Sequence, residues 1–76
     1  MILLNEIKEL GFEYLDSDGN KEAWSYESES GILVVEFHDY QKTVKLYISE
    51  CGYKAEAELK GEVTIERIKN LIKALQ

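Results

Sequence analysis

Seventy-six residues with a formal net charge of −6, no proline and a single cysteine set narrow bounds. A chain this short forms one domain over residues 1–76 and buries only about 60% of its extended surface, so a deep enclosed pocket has little room. The acidic balance argues against direct nucleic-acid binding, which needs a Lys or Arg at each phosphate, and the lone Cys51 offers no intrachain disulfide, which suits a reducing, cytoplasmic setting.

Met1-Ile2-Leu3-Leu4 has no basic flank, and Asn5, Glu6, Lys8 and Glu9 interrupt it before a signal-peptide core or membrane span could form. No membrane partner is expected. From Ile2 to Leu10, residues Leu3, Ile7 and Leu10 fall on one helical stripe, and Gly11 followed by Phe12 fits a left-handed C-cap. A short helix is predicted there, held by packing rather than by propensity.

Phe12 and Tyr14 then alternate with Glu13, but whether Phe12 to Leu15 pairs as a strand is open. Asp16-Ser17-Asp18-Gly19-Asn20 has turn composition, and Ala23 to Glu27, with Trp24 and Tyr26 alternating with Ala23 and Ser25, reads as a strand. Glu27-Ser28-Glu29-Ser30-Gly31 reads as the next turn.

The stretch Ile32 to Ser49 is the densest in apolar and β-branched residues and predicts a central hairpin. Leu33, Val35 and Phe37 share one face, and Ile32, Val34, Glu36 and His38 the other. Val44, Leu46 and Ile48 should point inward, with Thr43, Lys45, Tyr47 and Ser49 outward. Cys51-Gly52 reads as a turn. Beyond it, Tyr53, Ala55, Ala57 and Leu59 alternate with Lys54, Glu56, Glu58 and Lys60, so period favours an edge strand where Ala and Glu propensity favours helix. Thr64 then N-caps a helix with Ile65, Ile68, Leu71, Ile72 and Leu75 on its apolar stripe.

The expected architecture is two-layer α+β, in the order α-β-β-β-β-α. Its antiparallel meander has four strands, or five if Phe12 to Leu15 pairs, and both helices cover one face.

Charge is unevenly divided along this chain. Met1 to Asp39 carries ten acids against two lysines, a net −8, whereas Tyr40 to Gln76 carries five acids against seven bases, a net +2. Folded into one region, such an excess steers a basic partner.

Candidate chemistry is sparse. Asp16, Asp18, Asn20, Glu22 and Glu27 occupy positions 1, 3, 5, 7 and 12 of a calcium-loop pattern, but Lys21 stands where the loop needs glycine and the flanks read as extended chain, so a hairpin turn is the favoured reading. His38 and Cys51 should lie at opposite ends of the meander, which separates the one Cys–His pair available for nucleophilic catalysis. No phosphate loop, zinc-ligand cluster or nucleophile elbow is present, and neither enzymatic activity nor a cofactor is expected.

What the residues favour is protein recognition. An open sheet face bearing Trp24 or Tyr26, Val34 and Tyr47, rimmed by Asp16, Asp18, Glu22, Glu27 and Glu29, has aromatic anchors inside a polar edge. The alternatives are a homodimeric structural or regulatory subunit using the same surface, and a calcium-binding turn module at Asp16 to Glu27.

The short length, the acidic balance, the opening helix with Asn5-Glu6-Ile7-Lys8, the Asp/Ser/Gly/Asn-rich turns and the closing helix resemble small acidic phage-encoded inhibitors of bacterial defence, such as the α/β anti-CRISPR proteins that occupy the DNA-binding surface of a nuclease. The resemblance implies a DNA-mimicking protein that binds a basic surface through carboxylates. It rests on architecture and assigns no individual binding residue.

Overall fold

Alternation with a period of two from Lys21 to Ser49 builds strands, and the 3.6-residue stripe after Thr64 builds a helix. The computed structural model describes residues 4–40, 42–49 and 57–75. Its elements are α1 (Leu4–Glu9), β1 (Glu13–Asp18), β2 (Lys21–Glu27), β3 (Ile32–His38), β4 (Thr43–Ser49), β5 (Ala57–Leu59) and α2 (Ile65–Leu75). The five strands form one antiparallel sheet in the order β1-β2-β3-β4-β5. The meander is as expected, and the segment left open at Phe12 to Leu15 supplies the start of a fifth strand. The predicted Cys51-Gly52 turn and Tyr53 to Glu56 lie outside the described residues.

One face of the sheet carries the core. Leu33, Val35 and Phe37 of β3 stand beside Ile48, Leu46 and Val44 of β4 and beside Tyr26, Trp24 and Glu22 of β2. Ile7 from α1 and Ile68, Ile72 and Leu75 from α2 join Leu33, Val35, Phe37, Leu46 and Phe12 in a single buried cluster. Both helices therefore cover this face, as their apolar stripes require.

The helix ends are closed locally. After α1, Gly11 N–H donates to the Lys8 carbonyl and Phe12 N–H to the Ile7 carbonyl, with Gly11 at φ +99°, which is a Schellman motif with buried Phe12 folded back on Ile7. Before α2, the Thr64 hydroxyl accepts the Arg67 N–H at 3.1 Å, the predicted N-cap. Arg67 also reaches back, donating to the carbonyls of Lys60 and Glu62 at 2.7 and 3.0 Å, and so ties α2 to the chain leaving β5.

The turn predicted over Asp16 to Asn20 is shorter than its composition suggests. Asp18 pairs with Lys21, so Asp16 to Asp18 belong to β1 and only Gly19-Asn20 remain as the loop. Gly19, at φ +61°, fills the first central position, which type II′ hairpin turns reserve for glycine. Ladder hydrogen bonds to β2 override the turn propensity of Asp and Ser.

Candidate partner-binding surfaces

The edge strand β1 is exposed along its whole length, and its pairing with β2 slips between Tyr14 and Asp16. That slip is a β-bulge with Leu15 as the extra residue, and it reverses the inward-outward alternation once. Glu13 stands opposite Ser25 before the bulge, and Asp16 and Asp18 stand opposite Ala23 and Lys21 after it. All three carboxylates therefore project from the sheet face opposite the helices. In a regular strand, Glu13 would share a face with Leu15 and Ser17 instead.

Across this open face the side chains form ordered rows. Glu13, Ser25, Val34, Tyr47 and Glu58 make one row, and Asp16, Ala23, Glu36 and Lys45 make the next. Glu36 is the pivot of the second: one oxygen lies 2.9 Å from His38 Nε2 and the other 3.8 Å from Lys21 Nζ. Among the described residues Glu13, Asp16, Asp18, Glu27 and Glu29 make no ion pair.

Strand order turns the charge asymmetry of the sequence into a spatial one. Because the meander lays strands side by side in chain order, residues 4–30, with eight carboxylates against two lysines, form the β1–β2 flank. The described residues from β4 onward hold five bases against three acids, but three of those bases, Arg67, Lys69 and Lys73, lie on α2, whose Leu75 end reaches the β2–β3 turn at Gly31.

The predicted site residues do not all fall together. Asp16 and Asp18 lie on the open face near the Gly19-Asn20 turn; Glu27 is on that face at the far end of β2, and Glu29 is exposed in the β2–β3 turn. Glu22 points the other way, on the helix face between Ser17 and Phe37. The calcium-loop spacing is therefore unrolled along a hairpin: Glu22 and Glu27 are five strand residues apart, roughly 17 Å, and Glu22 is on the face opposite Asp16 and Asp18. Among the described residues no three His, Cys, Asp or Glu side chains gather closely enough to hold a metal ion.

The expected aromatic face also divides. Trp24 and Tyr26 pack against the core beneath the helices, whereas Val34 and Tyr47 stand on the open face. Trp24 is fixed from three sides, by Lys8 Nζ 5.4 Å above its ring, by an edge contact with Tyr14 at 5.6 Å, and by its indole N–H donating to Glu22 Oε1 at 2.6 Å. Tyr26 packs on Phe12 at 5.6 Å. Val34 is only 3% exposed, and among the described residues the large hydrophobic ones at the surface are Tyr14, Leu15 and Tyr40. Ala23, Val34 and Ser49 on the face opposite the helices are all buried, and the charge it exposes lies along its β1 edge. His38 ends β3 as predicted, while Cys51 lies outside the described residues.

Two concavities flank the β1–β2 hairpin. One, of about 270 Å³, lies at the start of β1, between Glu13 and Glu27. The other, of about 340 Å³, lies where the β1–β2 and β3–β4 turns meet, and Ser17, Glu22, Phe37 and Tyr40 line it. Tyr40 is 81% exposed, and with Asp39 it holds a left-handed backbone, at φ +56° and +52°. A bulky residue in that region is uncommon and costs roughly 1–2 kcal/mol. Sequence reading missed Glu13, whose alignment depends on the bulge, and Tyr40, whose backbone nothing in its neighbours announces.

No helix among the described residues is long and apolar enough to cross a membrane. No protein family, curated protein or solved structure matches the chain, so the reading of its surfaces rests on their own chemistry.

Proposed function

We propose that the protein is a non-enzymatic, cytoplasmic binding module whose acidic β1–β2 flank engages a basic surface of a partner protein. The observation that carries this reading is the bulge at Leu15, which sets Glu13, Asp16 and Asp18 side by side on an exposed edge strand, with no ion pair to neutralise them among the described residues. Carboxylates left unpaired at an edge keep their field, and a complementary surface gains in encounter rate and in orientation.

A nucleic-acid-binding cleft is the partner class that fits, since its Lys and Arg side chains are already arranged to meet a line of negative charge. In this reading the protein competes with nucleic acid for that cleft, in the manner of a phage or mobile-element anti-defence inhibitor. A homodimer joined edge to edge through β1 would set like charges against each other, which disfavours that alternative.

The test takes the partner captured from the native host and measures affinity at low and at physiological salt, with duplex DNA as competitor. Binding that weakens steeply with salt, competes with DNA, and associates about tenfold more slowly with the Glu13→Gln, Asp16→Asn, Asp18→Asn triple variant is expected. A salt-insensitive complex, or one indifferent to the triple variant, would refute it.

A further inference from the structure

We propose that the cleft between the β1–β2 and β3–β4 turns is a pocket for one cationic side chain, a guanidinium above all. It rests on the preceding reading only in taking the natural occupant to be a basic residue of the partner.

Ser17, Glu22 and Phe37 form one row of the helix face, at the end of the sheet nearest these turns. Phe37 is buried and makes an apolar wall, and Tyr40 rises from the opposite turn to complete the rim. At about 340 Å³ the cleft holds a single side chain or a small organic cation.

The sign of the ligand follows from where the charges are tied. Lys21 also lines the cleft, but it projects to the open face, where its ammonium lies 3.8 Å from Glu36 Oε2, so it does not neutralise Glu22. Glu22 is held in place by the Trp24 indole N–H on one oxygen, and Trp24 is itself clamped by Tyr14 and Lys8. Its second oxygen makes no hydrogen bond among the described residues. A fixed carboxylate with a free oxygen, beside an aromatic ring at the rim, is the pairing that takes a guanidinium, through a charge-assisted hydrogen bond on one side and a cation–π contact on the other.

The backbone of Tyr40 fits the same assignment. The left-handed turn at Asp39 and Tyr40 sets Tyr40 in the lining of the cleft that also holds Glu22.

The experiment titrates the protein with N-acetylarginine amide and follows backbone amide shifts by NMR. Saturable shifts in the millimolar range, largest at Ser17, Gly19, Glu22 and Tyr40, are expected. Glu22→Gln, which keeps an acceptor for the Trp24 indole, should weaken the binding about tenfold, and Tyr40→Ala should weaken it severalfold. Asp16→Asn with Asp18→Asn should leave it within about twofold, which separates this pocket from the β1 edge. An unchanged affinity in Glu22→Gln, equal shifts with sodium phosphate, or shifts that run along β1 without saturating would overturn the proposal. Failure of the salt-dependence experiment on the partner would leave these results intact.

Discussion

Replacing Gly31 by alanine tests the packing described above at a position where the sequence suggests nothing but a permissive turn. Gly31 is buried, and a Cβ built on it lies 2.8 Å from the Ser49 carbonyl oxygen and 3.3 Å from Leu75 Cδ2. The first contact is closer than a carbon and an oxygen can approach, so the backbone must move. Movement is resisted, because Ser28 N–H and Ser28 Oγ both donate to the Gly31 carbonyl at 2.9 Å and Gly31 N–H donates back to Ser28 Oγ at 3.2 Å. Overpacking of this kind costs about 1–3 kcal/mol, offset by about 0.4–1 kcal/mol from the smaller entropy of the unfolded alanine chain. The net loss is about 1–2 kcal/mol, which in a domain this size lowers the melting temperature by roughly 5–15 °C. Thermal unfolding followed by far-ultraviolet circular dichroism reads the shift. Gly19→Ala is the control, because there a Cβ meets nothing within 4 Å and only the φ of +61° penalises it. A Gly31→Ala protein as stable as the parent would refute the close approach of β4 and α2 to this turn.

Three further outcomes are expected. Tyr40→Gly removes a side chain from a left-handed site and should leave stability equal or raise it by up to about 1 kcal/mol, while weakening N-acetylarginine amide binding severalfold; urea unfolding and the NMR titration together check this trade. Arg67→Met retains the aliphatic stem but loses the donors to the Lys60 and Glu62 carbonyls, and should cost about 1 kcal/mol in urea unfolding with no change in arginine-amide binding. Neutralising Glu13, Asp16 and Asp18 together relieves like-charge crowding on an exposed edge, so chemical denaturation should show stability unchanged within about 0.5 kcal/mol; a large loss would mean these carboxylates hold the fold together.

Much of the fold was legible in the chain because burial leaves a local record. The alternation in Thr43–Ser49, the two-sided apolar character of Ile32–Phe37, the Gly11-Phe12 cap and the Thr64 N-cap each reflect a face that had to be covered or a backbone group that had to be satisfied. Those demands act over two to five residues, the range over which sequence patterns carry information. Charge imbalance was equally readable, and the meander preserved it because neighbours in sequence stayed neighbours in the sheet.

The candidate sites were decided elsewhere. Trp24 and Tyr26 could have faced either side until β2 paired with β3 in a register that sets them beside Val35 and Leu33, beneath the helices. Asp16 and Asp18 joined Glu13 only because a single extra residue, Leu15, reversed the alternation of an edge strand, and Glu22 was separated from them by the ordinary alternation of the next strand. Tyr40 reached the rim of its cleft through a backbone conformation that its own side chain disfavours. Composition and period determined that this chain folds as a helix-covered acidic meander; which side chains meet was left to strand register, where a one-residue shift moves a side chain through the sheet while leaving the local pattern of the sequence unchanged.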